Sequence, residues 1–180
     1  MKRKAFWLSA LTAALVIGLS GGAVAQAPAQ MNLSGFINDY TPGSTVTPVG
    51  PWEIRGEWSL KLTGITGAKF SATLTMVRSD YWIVQNPGEL DLPQDRTPHT
   101  HDISFEDGVV TQISGGLQIV GTATITANGS PAGFSPSRLT VQITGGSTVP
   151  YSNIKLTFDS PASGHFGTYP LDGTVRPGSQ

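Results

Sequence analysis

Polar and apolar residues alternate along most of this chain. In "WEIRGEWSLKL" (52–62), Trp52, Ile54, Trp58, Leu60 and Leu62 fall on one side and Glu53, Arg55, Glu57, Ser59 and Lys61 on the other. A period of two predicts a strand with one face in a core and one in water. Gly56 takes an inward position, where the missing side chain permits a bend or a close approach.

The same rhythm returns six more times. "KFSATLTMV" groups Phe70, Ala72, Leu74 and Met76, and "DYWIV" continues or restarts that strand. "HTHDISF" groups His99, His101, Ile103 and Phe105. The Asp-Gly of "EDG" (106–108) then predicts a tight hairpin, with "VVTQI" returning. "LQIVGTATITA" sets Leu117, Ile119, Ala123, Ile125 and Ala127 against Thr122, Thr124 and Thr126. "RLTVQI" and "NIKLTF" follow the same rule, and "HFGTYPLDGTV" can place His165, Tyr169, Leu171 and Val175 on one side. Turn-forming Pro, Gly, Ser and Asn fill the intervals, and no stretch has a helical period.

These runs predict an all-β domain, a single antiparallel β-barrel of about eight strands. The pattern alone also fits a two-sheet jelly-roll or sandwich. Closure is favoured because it removes exposed strand edges.

Residues 1–25 read as a cleaved secretory signal peptide. Lys2, Arg3 and Lys4 precede an apolar run, and "AVA" at 23–25 supplies the small residues of a cleavage site. The apolar run is short for spanning ~30 Å, and no basic stop-transfer cluster follows it. The protein is therefore expected in the periplasm or outside the cell, with no membrane insertion. Residues 26–50, rich in Pro, Gly, Ser and Thr, read as an extended N-terminal arm containing at most one short strand in "NLSGFIND". The β domain is expected over 51–180.

Three of the eleven basic residues leave with the leader, so twelve acidic residues face eight scattered basic ones. That balance excludes nucleic acid as a partner, which needs clustered Lys and Arg. The absence of cysteine excludes disulfides, thiolate metal sites and a cysteine nucleophile. Beyond the expected leader no G-x-S-x-G elbow is present. Asp102 and Glu106 share the polar face, where solvated carboxylates are the default. "ELDLPQD", with Glu89, Asp91 and Asp95, lacks the regular oxygen spacing of a calcium loop. Oligomeric state has no signature here.

Candidate chemistry concentrates in the histidines. Residues two apart on a strand point the same way, so His99 and His101 can share one cation. The third histidine of the chain, His165, has the parity of the apolar face. Zinc, copper or iron suits such imidazoles. Alternatively the pair lines an interior pocket together with Arg78, Asp80 and Trp82, which share one parity just past an apolar run.

"HTHDISFE" resembles part of the metal motif of the cupin family, in which H-x-H is followed three or four residues later by glutamate. His99, His101 and Glu106 match it. The glycine expected before the pair is missing, and "PASGHFG" presents Pro161, Gly164 and His165 at a different spacing from the second motif. The resemblance implies a jelly-roll metal site with His99, His101, Glu106 and His165 as ligands.

Three functions fit these features. The first is an exported barrel holding a small, partly apolar ligand at the end lined by Arg78, Asp80, Trp82, His99 and His101, with no cofactor required. The second is a cupin-like metal-dependent enzyme using His99, His101 and His165. The third is a non-enzymatic envelope or matrix component whose Ser and Thr faces serve adhesion.

Overall fold

The computed structural model describes residues 30–41, 52–64, 67–78, 98–145 and 151–177. The leader expected at 1–25 and the "DYWIV" run lie outside them. The elements are β1 (Met31–Thr41), β2 (Trp52–Leu62), β3 (Gly67–Arg78), β4 (His99–Ile113), β5 (Gly116–Ala127), β6 (Ser130–Pro131), β7 (Ser137–Thr144), β8 (Asn153–Phe158), α1 (Ser163–Phe166) and β9 (Leu171–Val175). Eight antiparallel strands close into a barrel in the order β1-β2-β3-β4-β5-β7-β8-β9 and back to β1, and β6 adds a short extra strand on β5. The barrel, not the two-sheet sandwich, is the architecture. No helix among the described residues is long and apolar enough to cross a membrane.

The alternation seen in the sequence sorts the wall into bore and exterior. Leu60, Leu62, Leu74, Met76, Ile103, Leu117, Ile119, Ile125, Leu139, Val141, Ile143, Ile154 and Leu156 are all at most 1% exposed and belong to one core cluster. Each such side chain contributes ~1.5–3 kcal/mol by leaving water. The intervening Ser, Thr and charged residues face outward and pair across strands, as in Ser59 with Ser71 (2.8 Å) and the Thr73 hydroxyl donating to Asp102 (2.9 Å).

Three expectations are corrected. The stretch expected to be an arm supplies β1, paired with β2 along its whole length from Met31↔Leu62 to Thr41↔Trp52, so the barrel begins well before residue 51. Met31, Leu33 and Ile37 do alternate inward, but Gly35 occupies an inward place and Phe36 an outward one, which hides the period. Phe36 is nevertheless useful outside, because the Arg176 guanidinium lies 4.9 Å from its ring centre.

"EDG" makes no hairpin. β4 runs straight through it, and the register with both β3 and β5 slips there, so Glu106 and Asp107 are both exposed between buried Phe105 and Gly108. This is a β-bulge, with one extra residue on β4. Glycine is required at 108 because a side chain would run into the Phe105 ring and Ile119. The hairpin comes later, at Ser114 and Gly115.

Finally, "HFGTYPLDGTV" is not one strand. His165 and Phe166 belong to the single helical turn α1, Tyr169 is 71% exposed, and only Leu171–Val175 joins the sheet.

The barrel closes along a short seam. β1 meets β9 only from Gly35↔Val175 to Ile37↔Gly173. Side chains reinforce it. The Trp58 indole N–H reaches across Gly35 to donate to the Thr174 carbonyl (3.2 Å), an approach that a side chain at 35 would block. The Asp172 N–H donates to the Asp39 carboxylate (2.7 Å), and the Arg176 N–H to the Ser34 carbonyl (2.7 Å).

Candidate metal centre

All three histidines of the chain meet at one end of the bore. His99 and His101 leave β4 on the inward face, opposite Met76 and Leu74 of β3. His165 arrives from the β8–β9 connection, which folds across that end as α1. Phe166 anchors the turn. It is fully buried, stacks on Phe158 (centroids 4.3 Å apart, 18° between planes) and sets its edge against His101 at 5.0 Å. The Phe166 N–H donates to the Ala162 carbonyl (2.9 Å), completing the turn that swings His165 inward.

The imidazoles converge through their Nε2 atoms. His165 Nε2 is 2.9 Å from His101 Nε2 and 3.2 Å from His99 Nε2, and the ligand atoms of all three lie within 4.8 Å of one another. His101 is fully buried; His99 and His165 are half-buried. His101 Nδ1 sits 2.8 Å from the Thr126 carbonyl. A carbonyl only accepts, so Nδ1 carries the proton and donates, leaving the Nε2 lone pair aimed at the cluster.

That tautomer limits what hydrogen bonding can explain. His165 Nε2 can donate to His101, but its single N–H cannot serve His99 equally well. A cation would serve all three once the outermost pair of ligand atoms, up to 4.8 Å apart, closes to within ~4 Å, the span of two metal–nitrogen bonds. With metal–nitrogen bonds of ~2.0–2.1 Å, the two observed separations subtend ~90–100°, between octahedral and tetrahedral geometry.

Electrostatics prepare the same state. Burial lowers the His101 pKa, and the neighbouring His99 adds to the effect against the opposing hydrogen bond to Thr126. Burial, then repulsion from His101 and His99, pushes His165 down to about 3. Both rings are therefore neutral near pH 7, the form that binds metal.

Each histidine is backed by an aromatic ring. Trp52 stands edge-on to His99 (5.2 Å, 73°), Phe134 stacks on His165 (4.8 Å, 24°), and Phe166 backs His101. Phe134 and Phe166 were not singled out by sequence. The signal for Phe134 was the Asn128-Gly129 pair. Both residues have positive φ (48° and 80°), the requirement of a tight primed hairpin turn, and the chain returns through β6 across the end of the bore.

Other expected site residues lie elsewhere. Glu106 is not a ligand. Its even parity turns it outward, where it pairs with Lys69 and is largely exposed. With Glu106 outside and a meander barrel in place of a jelly-roll, the arrangement implied by the cupin resemblance is not formed. Arg78 ends β3, in register with Trp52, while Asp80 and Trp82 lie outside the described residues. Beneath the histidines the bore is occupied by apolar side chains. A concavity of about 480 Å³ lies instead on the outer face of β1–β3, around Ser34, Gly56, Glu57, Ser59, Thr73 and Arg176.

No protein-family model, curated protein or solved structure matches this chain.

Proposed function

We propose that this is an exported metal-binding β-barrel protein whose His99, His101 and His165 hold one divalent transition ion at the barrel mouth. The observation that carries the reading is the convergence of three Nε2 atoms, with 2.9 Å and 3.2 Å separations about His165, on a tautomer that presents a lone pair. An all-imidazole set suits zinc, copper or iron. Three ligands converge among the described residues, a set that leaves a position for water or an incoming group, as in catalytic sites, whereas structural zinc sites use four ligands. The barrel does not need a metal to hold it together, because hydrogen-bonded ladders and a continuous apolar core already do so. The centre therefore serves an exogenous ligand. The ion would act as a Lewis acid on whatever occupies the open position. Export rests on the basic, apolar and small-residue pattern of residues 1–25.

Metal analysis of untagged protein equilibrated with zinc, copper(II) or iron(II) tests this. One equivalent per chain is expected for at least one ion, falling close to zero in His165→Ala and His101→Ala. His165 lies on a surface-capping turn, so its variant keeps the fold and circular dichroism verifies that. Stoichiometry near zero in the parent protein, or unchanged in both variants, overturns the proposal.

A further inference from the structure

We infer that the loaded centre takes a small carboxylate bearing an aromatic or apolar group as its exogenous ligand. The inference rests on the metal reading above and adds the chemical class of what the metal receives.

Charge is the first argument. The cluster among the described residues consists of three imidazoles and no carboxylate. A divalent ion bound there keeps its full positive charge, in a mouth where apolar walls weaken solvent screening. Asp102, the residue after His101, faces outward and accepts from the Thr73 hydroxyl. No carboxylate among the described residues neutralises it, so the charge favours an incoming anion, and a carboxylate oxygen is a good ligand for these ions.

Shape is the second. His101 and Phe166 form the buried floor, so approach is from the half-buried side of His99 and His165. That side is flanked by Trp52 and Phe134, both partly exposed and both packed on the apolar core. An anion entering there places its remaining atoms between two aromatic rings. A bare inorganic anion or hydroxide leaves those rings in water; an aryl or alkyl group covers them.

Cobalt(II)-loaded protein, with its visible d–d absorption, separates the possible outcomes. Titration with benzoate is expected to change the spectrum saturably, with benzoate binding about tenfold more tightly than acetate. Phe134→Ala, with Trp52→Leu as a second variant, is expected to bring that ratio towards one while cobalt stoichiometry stays the same. Cobalt uptake with a spectrum indifferent to both carboxylates overturns this inference and leaves the metal reading standing. Equal affinity for acetate and benzoate overturns the apolar part. Failure to take up cobalt, zinc, copper or iron overturns both.

Discussion

The two ends of the barrel use the same inward face for different ends. At the end bearing the β2–β3 and β4–β5 turns, the bore is apolar to its last layer: Leu62, Ala68, Phe70, Phe105 and Val110 are buried, and Phe70 stacks on Phe105 at 5.5 Å. At the other, the alternation that placed isoleucine and leucine inward places His99 and His101 there instead. Neighbouring segments add His165, Phe134 and Phe166. Apolar side chains supply stability wherever they are buried. Imidazoles in the same positions are tolerated because one is satisfied by a carbonyl and all three can share an ion. One end is packed with apolar side chains, and the other carries the candidate metal site.

The strongest way to break this division is to cut into the apolar end. Phe105→Ala removes a ring that is 3% exposed and is expected to lower stability by ~3–5 kcal/mol, read as a denaturation midpoint, while the variant still binds one equivalent of metal when folded. Loss of metal binding in a folded Phe105→Ala protein would show that the two ends are not independent.

Acid probes the histidine end. His165 titrates near 3 in the folded protein against an ordinary 6.5, so between those values the unfolded chain binds more protons. Stability of the metal-free protein should therefore fall as pH is lowered from 6.5 towards 3. Denaturation midpoints measured across that interval should decline less steeply in His165→Ala. Equal slopes would place the proton-linked destabilisation elsewhere.

The smallest effect is expected outside the wall. Glu106→Gln removes an exposed ion pair with Lys69 and should cost less than ~1 kcal/mol, with metal stoichiometry unchanged. A marked fall in metal content would restore Glu106 to the ligand set.

Much of the division was legible in the sequence. Counting by twos assigned Trp58, Leu60 and Leu62 of β2, Ile119 and Ile125 of β5, and Leu139 and Val141 of β7 to the bore, because a regular strand keeps side-chain direction strictly local. It failed where the backbone breaks step. The bulge at Glu106 and Asp107 shifts parity by one, turning Val109 out (61% exposed) and Val110 in. In β1, Gly35 and Phe36 obscured a strand that only pairing with β2 reveals. His165 was expected inward by strand parity and is inward for another reason: Phe166 packs on Phe158 and rotates a helical turn over the mouth. That contact joins an element to a distant wall, and no local period encodes it.

The seam between β1 and β9 sets the order of events when this chain folds. Gly35 waits for Val175, a partner that is almost the whole domain away, so every earlier hairpin can zip while the cylinder still gapes. Until β9 emerges, β1 and β8 each present a bare edge capable of pairing with a neighbouring molecule. Trp58, which fastens its indole to β9 only after closure, is thus a built-in reporter: its fluorescence should mark the final latch, separately from the collapse that precedes it.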